Sequence, residues 1–193
     1  MYFGKKQGEK IAALNFASYK HPGGGFMKGS SAQEESICHE SNLYNVISQF
    51  GDSFYAENNE DKNKALYRDK GLYSPDIVFE RGNRQALCDV ITCASPNKKV
   101  AQKYCYVSDS QNYKALESRI KFVLDIAEDN NVDTLILGAY GCGVFGQDPI
   151  EVANLFKQEL RGRSFKKVVF AIPKGRNGNY DAFRRVFILG VIK

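Results

Sequence analysis

Apolar and polar residues alternate in blocks along the chain, and these blocks predict strands that take turns with helices. Short apolar runs predict buried strands over residues 11–17, 76–80, 86–94, 134–137 and 167–172. Apolar residues at three- and four-residue spacing predict helices over residues 32–50, 110–130, 149–161 and 180–191, and the polar stretch 51–70 predicts one short helix. This order favours an α/β fold in which a mainly parallel central sheet carries helices on both faces, giving three layers.

Length and composition are those of one α/β domain, which we expect to span residues 1–193. No apolar run is long enough to predict a membrane-spanning helix, and residues 1–10 lack the apolar core of a secretory signal. Five cysteines without a Cys-x-x-Cys pair favour reduced, structural thiols in a cytoplasmic, intracellular protein. The net charge of +5 permits a polyanionic partner but does not demonstrate one, because most Lys and Arg residues are scattered.

A glycine-rich segment stands between the first predicted strand and the first predicted helix. Gly23-Gly24-Gly25, here called the first glycine loop, is followed after seven residues by Gln33-Glu34-Glu35. Three successive glycines let the backbone approach a phosphate closely, and two adjacent carboxylates point to acid–base chemistry on a phosphorylated sugar. The structural alternative is a flexible turn before a helix, in which Ser31 and Glu34 form a capping box and Glu35 complements the helix dipole.

A second glycine-rich segment, residues 138–149, follows the predicted strand 134–137. Residues 141–145 are here called the second glycine loop; Gly141 and Gly143 allow its amides to converge on an anion near the start of the next helix. Cys142 is better explained as a small residue in a tight loop than as a nucleophile, because no base stands near it in sequence. Phe145 is either core or a wall against a ribose, and we favour the wall. Since ligands of such sheets lie beyond the carboxyl ends of the strands, both loops are expected at one edge.

The sequence offers little for a metal or a cofactor, and we expect neither. His21 and His39 are the only histidines, and no cluster of carboxylates or thiols has the spacing of a metal site. Neither a Walker motif nor a dinucleotide-binding fingerprint fits the two loops. His21, just before the first glycine loop, is more readily a surface-turn residue than a phosphate ligand.

Four segments of the chain resemble the microbial-type poly(ADP-ribose) glycohydrolase family, a branch of the macrodomain fold. The spacing Gly-Gly-Gly-x7-Gln-Glu-Glu is highly specific for it, and the similar segments are residues 14–44, 72–82, 88–97 and 137–149, in family order. The resemblance implies a macrodomain-like fold and a catalytic role for Glu35, with Glu34 holding the ribose next to the bond being cut. It implies substrate binding by Asn15, Ser18, Gly23, Gly24, Gly25, Gln33, Gly141, Cys142, Gly143, Val144 and Phe145.

Two departures from the family pattern change what we expect. Family members usually carry an extra N-terminal segment before the strand at Leu14, so the sheet is expected to lack an edge strand or to be covered there by a partner chain. Gln147 stands where the resemblance leads us to expect Asn, so the side-chain hydrogen bond of this segment is expected to shift.

The implied reaction is metal-independent hydrolysis of the ribose–ribose O-glycosidic bond of poly(ADP-ribose), with release of ADP-ribose. Glu35 would protonate the leaving 2′-oxygen and then activate water. Two alternatives stay open: a mono-ADP-ribosyl hydrolase acting on an ADP-ribosylated macromolecule, and a non-catalytic ADP-ribose-binding macrodomain, against which the paired acids argue. A nucleic-acid-binding domain driven by charge is disfavoured. The sequence leaves open the oligomeric state and the choice between endo and exo cleavage.

Overall fold

The structure, a computed structural model, describes residues 8–175 and 177–189, and its strands form one five-stranded sheet. The strands are β1 (Ile11–Phe16), β2 (Gly71–Arg81), β3 (Arg84–Cys93), β4 (Thr134–Leu137) and β5 (Lys167–Phe170). Their order across the sheet is β2-β3-β1-β4-β5; β2 runs antiparallel to β3, and all other neighbours are parallel. The predicted mainly parallel sheet is confirmed.

Helices cover both faces of this sheet. Neighbouring strand residues point to opposite sides, and apolar residues on both sides are buried against helices. Val90 of β3 packs in a buried cluster with Leu43 and Ile47, whereas the next residue, Ile91, packs in a second cluster with Leu116. The fold is therefore the predicted three-layer α/β arrangement. The helices are α1 (Gln33–His39), α2 (Leu43–Ile47), α3 (Ala56–Glu60), α4 (Lys98–Cys105), α5 (Asp109–Asp129), α6 (Pro149–Glu159) and α7 (Asn179–Arg184).

The prediction of one helix over residues 32–50 is wrong, because the chain breaks between α1 and α2. The N–H of Glu80 donates to the carbonyl of Glu40 at 2.8 Å, and the N–H of Asn42 donates to the carbonyl of Val78 at 3.2 Å. These bonds join the break to β2, the edge strand of the sheet, and they replace helical hydrogen bonds. Hydrophobic spacing cannot reveal such a break, since it depends on a strand far away in sequence.

The β2–β3 hairpin is longer than predicted, and α4 is absent from the prediction. The pairing of β2 with β3 is irregular around Asp76, which has a φ of +51°. Asp89 of β3 stabilises this irregularity, because its carboxylate accepts a hydrogen bond from the N–H of Asp76 at 2.9 Å. At the start of α4 the side chain of Asn97 accepts the N–H of Val100 at 3.1 Å, an N-cap that the lysine-rich sequence after it obscured.

The second half of the chain follows the prediction closely. α5, α6, β4 and β5 lie within two residues of the predicted bounds, and Ser108 and Gln111 form a capping box at the start of α5. α7 agrees with the start of the helix predicted over residues 180–191, whose last two residues lie outside the described residues, as do residues 1–7. In the part of the chain that the structure describes, no helix combines the length and apolarity that a membrane crossing needs.

Candidate active site

The two glycine loops follow neighbouring parallel strands. β1 ends at Phe16 and β4 ends at Leu137, and the two strands pair from Ile11 opposite Thr134 onward. Because the carboxyl ends of parallel neighbours meet at one edge of a sheet, the segments that follow them lie side by side. The predicted placement of both loops at one edge is confirmed.

Glu34 is buried against the end of β1, and both of its carboxylate oxygens are bonded. Its Oε1 accepts a hydrogen bond from Asn15 Nδ2 at 3.2 Å, and its Oε2 accepts the N–H of Ser18 at 2.7 Å. The residue is only 3% exposed, and this burial raises the pKa of Glu34 to about 7, although the N–H groups of Ser18 and Gly23 oppose the rise. Glu34 is therefore a fixed polar anchor that brings together the predicted residues Asn15 and Ser18.

Glu35 is held through one oxygen only. Its Oε1 accepts the N–H of Gly25 at 2.8 Å, whereas its Oε2 is buried without a hydrogen-bond partner among residues 8–175 and 177–189. The residue is 7% exposed. A buried polar atom without a partner costs about 1–3 kcal/mol, so each one calls for an explanation. The free Oε2 is the position from which an acid–base residue could exchange a proton with a substrate.

The first glycine loop closes tightly around these two carboxylates. Gly24 has a φ of +59°, and a Cβ there would lie 2.7 Å from Glu35 Oε1 and 2.9 Å from Glu34 Oε2. The N–H of Gly24 donates to the carbonyl of His21 at 3.1 Å, and the N–H of Gly25 is taken by Glu35. These N–H groups thus bind the chain itself. The substrate contacts that the resemblance implies for Gly24 and Gly25 stay a prediction, and they depend on close approach of the bare backbone.

Gln33 clamps α1 to β1 and so fixes the position of the two acids. Its Oε1 accepts the N–H of Phe16 at 2.8 Å, and its Nε2 donates to the carbonyl of Leu14 at 2.9 Å. A substrate contact of Gln33 stays a prediction. The capping-box interpretation of Ser31 is wrong, because α1 begins after Ala32 and no side chain caps it.

The second glycine loop rests on buried side chains. Gly141 has a φ of +74°, and a Cβ there would collide with the hydroxyl of the buried Ser95. Gln147 Nε2 donates to the carbonyl of Pro96 at 2.9 Å and to Asn112 Oδ1 at 3.0 Å, while Asn112 Nδ2 donates to Gln147 Oε1 at 2.9 Å. The residue at which the family pattern led us to expect Asn therefore ties the loop to α5 through a reciprocal amide pair.

Three consecutive backbone N–H groups at the tip of the second glycine loop are free. Gly143, Val144 and Phe145 donate no backbone hydrogen bond to any other described residue. The side chain of Val144 is 77% exposed, and a Cβ at Gly143 would meet open space. Adjacent free amides favour an anion. The loop thus has the donors that a diphosphate needs, although the contact itself stays a prediction.

The side chain of Phe145, the last residue of the same loop, is half-buried. Its ring centroid lies 6.1 Å from that of Tyr67, which in turn stacks on Tyr19 at 4.2 Å. Phe145 therefore packs on a small aromatic cluster that also contains a residue next to Ser18. Its predicted role as a wall against a ribose stays a prediction.

Cys142 has the properties of a structural thiol. Burial, and then the negative charge of Asp148, raise the pKa of Cys142 to about 12, and its Sγ donates to the carbonyl of Tyr140 at 3.6 Å. A thiol with this pKa is almost fully protonated at neutral pH, which disfavours a nucleophile as the sequence indicated. Over the described residues, no group of three or more His, Cys, Asp or Glu side chains could hold a metal ion.

Sequence reasoning missed the residues that support the two loops. Asn112 is a polar residue on the buried face of α5, and that position in an amphipathic helix was a usable signal. Ser95 directly follows the predicted strand 86–94, and Tyr67 lies in a polar stretch with a φ of +63°. Neither Ser95 nor Tyr67 had a local signal for its place beside the site.

A comparison of sequences supports this arrangement of acids and loops. The family model described as "Microbial-type PARG, catalytic domain", where PARG stands for poly(ADP-ribose) glycohydrolase, matches residues 2–82. That segment contains the first glycine loop, Glu34 and Glu35. Among curated proteins, none matches the chain.

Solved structures of bacterial enzymes are similar to nearly the whole chain. Poly(ADP-ribose) glycohydrolase from Thermomonospora curvata, bound to the inhibitor ADP-HPD, is 34% identical with a TM-score of 0.84, over 93% of this chain and 71% of that one. The enzyme from Deinococcus radiodurans, in complex with ADP-ribose, is 35% identical with a TM-score of 0.85, over 96% and 78%. Fold and site together define a macrodomain-like glycoside hydrolase. The chain belongs to the microbial-type poly(ADP-ribose) glycohydrolase family.

Proposed function

We propose that this chain hydrolyses the ribose–ribose O-glycosidic bonds of poly(ADP-ribose) and releases ADP-ribose. The observation that carries the proposal is the buried, unpartnered Oε2 of Glu35 beside Glu34, whose two oxygens are both bonded. The similar structures from Deinococcus radiodurans and Thermomonospora curvata, which hold ADP-ribose and the inhibitor ADP-HPD, support the same class of ligand.

Glu35 acts first as an acid and then as a base. The protonated Oε2 gives its proton to the 2′-oxygen as the bond from that oxygen to the anomeric carbon breaks, and the ribose gains oxocarbenium character. The resulting carboxylate takes a proton from water while the water oxygen bonds to the anomeric carbon. Glu35 regains its proton, and one water is consumed. The N–H of Gly25 holds the other oxygen and so fixes the orientation of the carboxyl group throughout.

Glu34 positions the ribose. Its bonds to Asn15 and Ser18 already fix both oxygens, and a carboxylate oxygen can accept a further hydrogen bond from a ribose hydroxyl. Because Glu34 is anchored to the end of β1 and Glu35 follows it on α1, the distance between the sugar and the acid–base group is set by the backbone.

The diphosphate and the distal ribose lie between the two loops. The free amides of Gly143, Val144 and Phe145 bind phosphate oxygens, while the first glycine loop approaches through backbone without side chains. We place all of this in one catalytic domain over residues 1–193. The five unpaired cysteines favour an intracellular location.

Incubation of the protein with poly(ADP-ribose) and, separately, with a mono-ADP-ribosylated protein tests the proposal. We expect free ADP-ribose from the polymer. Release from the mono-ADP-ribosylated protein alone would make the chain a mono-ADP-ribosyl hydrolase. No release from either substrate, with ADP-ribose still bound in calorimetry, would replace hydrolysis by binding alone.

A further inference from the structure

We propose that a basic and aromatic surface on α4 binds the part of poly(ADP-ribose) that extends beyond the unit being cleaved. This surface, here called the α4 surface, consists of Lys99, Lys103, Tyr104 and Tyr106. The inference rests on the proposed function, because the polymer is its ligand. It adds a second contact region to the cleft between the glycine loops.

Two tyrosines on the α4 surface are unusually exposed. Tyr104 is 65% exposed, and Tyr106, which ends α4 in a left-handed conformation with a φ of +53°, is 93% exposed. Aromatic side chains normally bury most of their area, and the left-handed region is disfavoured for a residue with a Cβ. The chain thus exposes two aromatic rings to solvent, although a smaller polar residue would cost less free energy there.

The positive charge of the α4 surface is not neutralised by neighbouring acids. Residues 98–105 contain three lysines and no acidic residue. Lys98 pairs with Asp109 at 3.3 Å, but Lys99 and Lys103 have no acidic partner in residues 8–175 and 177–189. The ammonium of Lys103 lies 5.1 Å from the ring centroid of Tyr104, so charge and ring are presented together.

The α4 surface is continuous with the second glycine loop. α4 follows β3 at the edge of the sheet where both loops lie, and the N–H of Lys99 donates to the carbonyl of Phe145 at 3.1 Å. The methylene chain of Lys99 runs against Gly146, since a Cβ at that glycine would lie 2.6 Å from Lys99 Cγ. Ala101 of α4 belongs to the buried cluster on which Phe145 packs. A polymer leaving the cleft over this loop meets α4 next.

The chemistry of the α4 surface matches the repeating unit of the polymer. Each unit of poly(ADP-ribose) carries a diphosphate and an adenine. Lysine ammonium groups bind phosphates, and tyrosine rings stack on bases without requiring a particular sequence. Single-stranded nucleic acid also carries phosphates and bases but lacks the ADP-ribose unit that enters the cleft, so it serves as the competing ligand in the test.

The test compares a long poly(ADP-ribose), a two-unit oligomer and ADP-ribose as ligands of the full chain carrying Glu35→Gln. In the triple variant Lys103→Gln/Tyr104→Ser/Tyr106→Ser, we expect affinity for the long polymer to fall about tenfold or more. Affinity for ADP-ribose should stay unchanged. The slope of log affinity against log salt concentration should become shallower by about 0.7 for the lysine removed. Tyr106→Phe, which keeps the ring, should keep the affinity.

Lys167→Gln is the matched charge control, because Lys167 is exposed at the start of β5. The start of this strand lies at the end of the sheet opposite to the two glycine loops and α4. The proposal that the α4 surface binds the polymer would be overturned by equal affinity for the long polymer and the two-unit oligomer, or by an unchanged affinity in the triple variant. Either result would leave the proposed function intact. Single-stranded DNA that binds as tightly as the polymer and loses affinity in the same variant would assign the surface to nucleic acid instead. Failure of ADP-ribose to bind at all would count against the proposed function itself.

Discussion

Two adjacent glutamates on one helix use their oxygens differently. Glu34 bonds through both oxygens to the end of β1, while Glu35 bonds through one oxygen to the first glycine loop and leaves the other free. Successive residues of a helix point about 100° apart, so Glu34 and Glu35 face different neighbours. Glu34 faces the end of β1, whereas Glu35 faces the first glycine loop, which folds over α1. The absence of a side chain at Gly24 makes that close approach possible.

At the residue scale, Gly143→Val separates ligand binding from stability. The new side chain enters open space at the free amides, so we expect ADP-ribose affinity to fall at least tenfold while the free energy of unfolding stays within about 0.5 kcal/mol. Calorimetric titration and thermal melting measure the two quantities. Gly24→Val is the contrasting variant: its side chain would displace both carboxylates, so it should lower stability and turnover together. Normal ADP-ribose affinity in Gly143→Val would exclude the second glycine loop as the phosphate site.

The sequence predicted these residues better than it predicted their tasks. The spacing of three glycines seven residues before Gln-Glu-Glu correctly predicted that a loop and two acids lie together. That the loop amides hold His21 and Glu35 rather than standing free could not be predicted, because it depends on how the turn folds back on α1. The hydrogen bonds of the loop depend on tertiary structure, and the composition of the segment does not predict them.

At the scale of elements, the second glycine loop is placed by two helices. The amide pair between Asn112 and Gln147 joins it to α5, and the bond from Lys99 to Phe145 joins it to α4. Neither contact was predictable: α4 is a short, lysine-rich segment, and the partner of Gln147 lies 35 residues away. By contrast, α5 and α6 were predicted closely, because their apolar spacing is a local pattern that needs no tertiary contact.

Asn112→Ala tests whether this amide pair orders the loop. The substitution leaves the buried side chain of Gln147 with one partner fewer, so we expect the free energy of unfolding to fall by about 1–3 kcal/mol. ADP-ribose affinity should fall as well, because the free amides are no longer held in place. Urea denaturation and calorimetric titration measure both. Lys114→Ala, at an exposed position of α5, is the control and should change neither. Unchanged ADP-ribose affinity in Asn112→Ala would show that the loop is ordered without α5.

At the scale of the whole molecule, the parallel pairing of β3, β1 and β4 brings the site together from distant parts of the chain. Strand alternation with helices predicted that sheet, including the shared edge of both loops. The break between α1 and α2 and the extended β2–β3 hairpin escaped prediction, since both arise from pairing between segments that are remote in sequence. The polarity pattern therefore predicted the layers, while long-range pairing decided the details at the edge strand.

Burial of Glu34 also links global stability to pH. In the unfolded chain its carboxyl releases a proton near the ordinary pKa of 4.5, whereas in the folded protein the pKa of Glu34 is about 7. Between these values the folded state binds more protons, so the free energy of unfolding falls as pH rises from about 4.5 to about 7. The contribution is at most about 3.5 kcal/mol, because one pH unit corresponds to about 1.4 kcal/mol.

Glu34→Gln removes this titration. Urea denaturation at several pH values should show that the unfolding free energy of the variant falls less over that interval than that of the unmodified protein. Stability curves of equal slope for both proteins would mean that Glu34 ionises in the folded protein as it does in the unfolded chain.

The central claim is that Glu35 performs the acid–base chemistry, and turnover of poly(ADP-ribose) by Glu35→Gln tests it most directly. Gln keeps the shape of the side chain and the bond to Gly25 but can neither donate a proton as an acid nor accept one as a base. We expect release of ADP-ribose to fall by at least about a hundredfold, the lower end of general acid–base contributions. ADP-ribose affinity measured on the same sample should stay within a few-fold. Near-normal turnover by Glu35→Gln would contradict the account.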